Sequence, residues 1–156
     1  IQTIALIHKN MYQKELYSEI NFKEYIEELI QQIKQTHNSN NEIEINYNIQ
    51  PVLLSLDFTI PLSLIVTEII SNSFKHAFKD QKNGEISIYF EELSPKKHIL
   101  KITDNGCGFE TDQINSNDSI GLDLIQGLTE QIYGEITIDS TINNGTTITI
   151  TFSSYD

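Results

Sequence analysis

Glu68, Asn72, Lys75 and Lys79 recur every three or four residues in one segment of the chain. At about 100° per residue they fall within a stripe about 60° wide. His76 lies at its edge, and Val66, Ile70 and Ala77 fall on the opposite side. An ordinary solvated helix face looks like this. So does a face that holds a metal and a phosphate. Asparagine offers a neutral oxygen to Mg2+, which keeps several waters and takes few protein ligands besides phosphates. Lysine or histidine answers phosphate charge, and a glutamate one turn away can hold or polarise a water.

Three further clusters have chemical potential. Asp104-Asn105-Gly106-Cys107-Gly108 follows an apolar run, so a carboxylate stands at a strand end before two glycines that admit close backbone approach. Such a carboxylate can accept from an amino group. An ordinary turn would read the same way. The dinucleotide fingerprint is absent, because the glycines do not open a helix. Cys107 reads as a small residue between glycines. Gly121-Leu122 sits where a loop turns into a helix, a ready anion site or a plain helix start. Gly145-Thr146 closes a turn before strand formers. No Cys/His spacing suggests zinc.

These residues need elements to hold them. Ile1, Ile4, Ala5, His8, Met11, Tyr12 and Leu16 predict a helix over 1–18. Phe22, Ile26, Leu29, Ile30 and Ile33 predict a second over 22–36, with Asn21 and Glu24 as a capping box. His37 opens a polar breaker, and alternation predicts a strand over 42–50. Val52 to Leu56 gives a short strand. A long helix is expected over 59–79 with Pro61 in its first turn. Strands are expected at 85–92 and 98–103, then a loop over 104–119 and a helix over 120–133 ending near Gly134. Strands 135–141 and 146–153 flank Asn143-Asn144-Gly145, a hairpin signal. Short connections point to an α+β fold whose mixed, mostly antiparallel sheet has helices on one face.

The chain has 156 residues, enough for one compact domain with an appendage. Its formal charge is −12, and all ten basic residues are lysines. That balance opposes a phosphate backbone and excludes a nucleic-acid grip by the chain as a whole. Cys107 is the single cysteine and cannot pair within the chain, which fits a reducing, cytoplasmic compartment. No apolar run approaches the ~20 residues of a membrane span, so no membrane contact is expected of this segment. The start at Ile1 rather than Met fits a piece of a longer protein.

Taken in order, the clusters resemble the motif boxes of histidine-kinase ATP-binding domains. Leu64 to Glu68 through Asn72, Lys75, His76, Ala77 and Phe78 resembles the N box. Asp104-x-Gly106-x-Gly108 resembles the first glycine box, Gly121-Leu122-x-Leu124-Ile125 the second, and Gly145-Thr146 the last. The superfamily is the ATPase group shared with gyrase and the large heat-shock chaperone. Ile4 to Tyr12, Phe22-x-x-Tyr25-Ile26 and Glu130-Gln131-x-x-Gly134 resemble one branch, the second histidine-kinase dimerisation subfamily.

The resemblance implies a two-layer α/β sandwich over 19–156, preceded by the end of a dimerisation and phosphotransfer region over 1–18. It implies ATP and Mg2+ as ligands. Asp104 would bind the adenine amino group with help from Thr146. Gly106, Gly108, Gly121, Leu122 and Gly145 would shape the nucleotide floor and a lid over 109–120. Asn72 would hold Mg2+, Lys75 or His76 would touch phosphate, and Glu68 would orient an attacking group. Asp123 stands where many relatives carry glycine. The phosphoaccepting histidine would lie upstream, in a His-Arg-x-x-x-Asn type segment that this arginine-free chain lacks, so His8 is not assigned that role. The implied partners are the chain's own dimerisation helices, a homodimer mate and a response-regulator receiver domain. The alternatives are a protein-serine kinase of the anti-sigma type on the same fold, and a non-catalytic nucleotide-sensing domain.

Overall fold

Alternating burial builds the sheet. In β2 (Glu42–Ile49), Ile43 and Ile49 are buried while Glu42, Glu44, Asn46 and Asn48 are exposed. The same alternation runs through β4 (Asn83–Ser94), β5 (Lys97–Asp104), β6 (Glu135–Ser140) and β7 (Thr146–Ser153). The computed structural model describes residues 19–37, 42–111 and 119–154. The helix expected over 1–18 lies outside them, as does the middle of the expected lid, 112–118.

The five strands lie in the order β2-β4-β5-β7-β6. β2 runs parallel to β4, and the other three pairings are antiparallel. The expected mixed, mostly antiparallel sheet is therefore present. The short strand expected after Pro51 does not join it. It is β3 (Leu53–Ser55), paired antiparallel with β1 (Glu19–Asn21) in a separate two-stranded ladder.

The inner sheet face packs with the apolar faces of α1 (Phe22–Thr36), α2 (Leu56–Asn72) and α3 (Ser119–Gln131) in one core. The Asn21 side chain accepts the Glu24 N–H at 3.4 Å and caps α1, as its spacing predicts. The outer sheet face carries Thr137, Thr147, Thr149, Thr151, Lys101 and Glu85, all partly or fully exposed.

Two expectations about the central helix are corrected. α2 begins at Leu56, so Pro61 stands in its second turn, not its first, and one backbone bond is missing there. The early start is held by the Thr59 hydroxyl, which donates back to the Ser55 carbonyl at 2.9 Å. The helix also stops at Asn72 instead of running to 79, and Ser73–Ala77 form one π-helical turn. Ser73 is where the ladder loosens. Its N–H is shared between the carbonyls of Ile69 and Ile70, and its hydroxyl lies 3.1 Å from the Ile69 carbonyl. Back-bonding of this kind bends helices, and π-turns concentrate at functional sites.

Candidate functional site

The site forms where three loops meet the last rung of the sheet. Across β4, β5, β7 and β6 the inner face carries Ile88, Ile102, Ile148 and Ile138 at one level. Two residues further along, the same register carries Ile86, Asp104, Thr146 and Ser140. The sheet thus turns from apolar to polar in a single step.

Asp104 is only 8% exposed. Its Oδ1 accepts the Gly106 N–H at 2.9 Å, and its Oδ2 lies 3.1 Å from the Ser73 hydroxyl. Burial holds its carboxyl above the usual carboxylate range, and the Gly106 N–H, the Ser73 hydroxyl and the Thr146 N–H act the other way. A buried carboxylate with neutral donors already aimed at it is set to receive one more, such as an amino group.

The Asp104–Gly108 loop is clamped on both sides. On one, Cys107 N–H donates to the Ala77 carbonyl at 2.8 Å, an acceptor left without a helical partner because the π-turn ends at Ala77. On the other, Asn143 N–H donates to the Cys107 carbonyl at 2.6 Å. A Cβ at Gly106 would run into Ala77, and one at Gly108 into the Thr141 carbonyl. Asn105 ties the loop to β4: its side chain accepts the Glu85 N–H at 2.8 Å, and its own N–H donates to the Glu85 carbonyl at 3.2 Å. Gly145 has φ +74° and lies so close to the Asp104 carbonyl that a Cβ would overlap it.

Glu68 and Asn72 lie one turn apart on α2, both half-buried. Both face Gly121 in the first turn of α3. A Cβ added to Gly121 would lie 2.6 Å from Glu68 Oε1 and 3.0 Å from the Asn72 amide nitrogen. The glycine there is a matter of room. Leu122 is half-buried beside it, and Asp123 is exposed.

The single stripe expected on this helix is not found. The π-turn takes Lys75 and His76 out of α-helical spacing with Glu68 and Asn72, and Lys79 lies beyond it in a turn; all three are exposed. Lys75 lies near His37 at the end of α1. The His37 ring stacks on Phe74 with centroids 5.2 Å apart, and burial followed by the Lys75 charge lowers its affinity for a proton.

Sequence reasoning missed Ser73, Asn105 and Ser140. Ser73 adjoins Asn72 and could have drawn notice as a polar residue on an apolar helix side. Nothing in the sequence flags Ser140. Among the described residues no three His, Cys, Asp or Glu side chains gather to hold a metal. The donors at the mouth are a carboxylate and an amide. That set suits Mg2+, which takes oxygen ligands and keeps waters, and it does not suit zinc.

Comparison with known proteins follows the same outline. A family model described as histidine kinase matches residues 1–37. The sensor histidine kinase LiaS of Bacillus subtilis is 29% identical over 128 residues, covering 82% of this chain and 33% of that protein. The serine-protein kinase RsbW of Listeria innocua is 39% identical over 49 residues, 31% of each chain. The chain spans about a third of the length of these relatives. The histidine kinase domain of the Erythrobacter litoralis blue-light activated histidine kinase shares the fold with a TM-score of 0.86 at 18% identity, covering 97% of this chain and 71% of that one. The family model described as histidine kinase-, DNA gyrase B-, and HSP90-like ATPase matches residues 58–156, the stretch that contains all but the first two residues of α2, the clamped Asp104 loop, Gly121 and Gly145; the chain belongs to that family.

Proposed function

We propose that this chain is the ATP-binding catalytic part of a sensor histidine kinase. It would carry the γ-phosphoryl of ATP to a histidine on a dimerisation segment of a homodimeric parent protein, and thence to a response-regulator receiver domain. The observation that carries the ATP-binding part is Asp104, buried at the polar rung and held by neutral donors in a chain of this ATPase family. The histidine-kinase part rests on the match over residues 1–37 and on the likeness to a sensor histidine kinase along most of the chain.

In this reading Asp104 accepts the adenine amino group, and Thr146 serves the same base edge. Gly106, Gly108 and Gly145 give the base its floor, while Gly121 and Leu122 cover the phosphate side. Asn72 would hold Mg2+ at the phosphates, where the ion supplies charge neutralisation. Lys75 or His76 reaches the phosphates from the π-turn. Glu68 orients the incoming group. Phosphoryl transfer asks for positioning and neutralised charge more than for covalent help, and these residues offer both. ATP chemistry of this kind places the chain in the cytoplasm. Among the described residues no helix is long and apolar enough to cross a membrane.

Equilibrium binding of ATP with and without Mg2+ tests the site. Asp104→Asn should weaken ATP roughly a hundredfold, the scale of losing a charged hydrogen bond in a buried site. Asn72→Ala should remove the Mg2+ dependence. Unchanged binding in both variants would overturn the assignment. Transfer is tested by incubation with labelled ATP and a histidine-bearing dimerisation segment. Acid-labile phosphate on that segment supports the histidine kinase. Acid-stable phosphoserine on a partner protein would favour the serine-kinase reading, to which the RsbW likeness over 49 residues points.

A further inference from the structure

Of the three polar residues on the last rung, Asp104 and Thr146 have roles in the proposed site and Ser140 has none. Ser140 is 6% exposed. Its hydroxyl oxygen accepts the Phe109 N–H at 2.9 Å, lies 3.2 Å from the Gly145 carbonyl oxygen, and lies 2.8 Å from Thr146 Oγ1.

A serine hydroxyl has one hydrogen and two lone pairs. The Phe109 N–H always takes a lone pair. The hydrogen then has two destinations. Donated to the Gly145 carbonyl, it leaves Ser140 free to accept from Thr146, whose hydroxyl then offers a ligand only lone pairs. Donated to Thr146 Oγ1, it leaves the Thr146 hydrogen free for a ligand acceptor. Thr146 is half-buried and sits beside Asp104 in register, so its hydroxyl borders the space that the carboxylate serves. A purine base presents an amino donor and ring-nitrogen acceptors next to one another. A hydroxyl that can be set either way matches that edge better than one fixed as acceptor.

We propose that Ser140 is a positioning residue for the nucleotide base, acting by setting the hydrogen of the Thr146 hydroxyl. This rests on the assignment of Asp104 and Thr146 as base contacts. It differs from a packing role in one measurable respect: Ser140 acts only through Thr146.

The test is a double-mutant cycle on ATP binding by the full chain. Ser140→Ala and Thr146→Val should each weaken binding about fivefold, the scale of one neutral hydrogen bond. The double variant should bind no more than about twofold worse than the weaker single variant. Multiplied effects, about 25-fold in the double variant, would overturn the proposal, and so would unchanged affinity in Ser140→Ala. Should the alanine variant not fold, Ser140→Cys keeps the size with a poor donor and must show the same coupling to Thr146→Val. Asp104→Asn separates the two levels. If it leaves ATP affinity unchanged, the base-site assignment itself fails. If it weakens ATP while the cycle is additive, only the role of Ser140 fails.

Discussion

Strand β5 carries a buried ionisable side chain near each end. Asp104, at its last position, meets donors from three segments: the Ser73 hydroxyl, the Gly106 N–H and the Thr146 N–H. His98, next to its first position, is 1% exposed and stacks with Phe90 and Phe152, with ring centroids 5.8 and 4.9 Å away. Its Nε2 lies 2.8 Å from the Ser154 hydroxyl. Its Nδ1 has no hydrogen-bond partner among the described residues, the Glu92 carboxylate being 4.0 Å off. Burial pushes both groups toward their neutral forms. At the Asp104 end neutral donors surround a carboxylate that the proposed function gives to a ligand. At the His98 end the aromatic rings close over the imidazole and leave one ring nitrogen unpaired in the core. The first is a site kept at some cost to the fold, and the second is core.

The largest expected effect breaks the core end. Phe152→Ala should cost about 3–5 kcal/mol of stability in urea unfolding, since it removes a ring that contacts His98, Phe58 and Phe90. ATP affinity of the folded variant should stay within about twofold, because distant sites are close to independent. A parallel loss of affinity would show that the two ends are coupled.

Asp104→Asn should act oppositely. Alongside its loss of ATP affinity, the nucleotide-free protein should melt at a higher temperature. The sign follows from the raised carboxyl. Its contribution to stability is present below the unfolded value, is lost as pH rises through the folded one, and leaves a charged, desolvated group at neutral pH. Asparagine removes that charge. A lower melting temperature would mean that the donors around Asp104 stabilise its ionised form in the empty site.

The smallest effect belongs to His98. With its proton affinity lowered, its contribution is complete above the unfolded value near 6.5 and is lost as pH falls through the folded value. Urea midpoints should therefore drop below about pH 6.5, and His98→Gln should flatten that drop. His37, lowered in the same direction but less enclosed, leaves a remainder in the variant.

Much of this molecule was legible as sequence. Period-two alternation reports which side of a strand is buried, and it located β2, β4, β5, β6 and β7 to within two residues. Asp104, Gly106, Gly108, Gly121 and Gly145 were legible because a carboxylate at a strand end and glycines at turns are local choices with few substitutes. The stripe on α2 misled because periodicity assumes one helix type throughout. The turn at Ser73–Ala77 departs from that, with Ser73 held by a carboxylate 31 residues away.

Composition, alternation and ordered boxes alone determined the layered α+β plan, the family resemblance and most of the candidate site. Only the tertiary structure decided that β2 pairs parallel with β4, that β3 leaves the main sheet to pair with β1, and that Ser73 reaches Asp104 while Ser140 reaches Thr146. The physical reason is common to all of these. Burial leaves a mark on local sequence because each residue faces core or water on its own, whereas a strand's neighbour and a hydroxyl's partner are set by segments that meet only once the chain has folded.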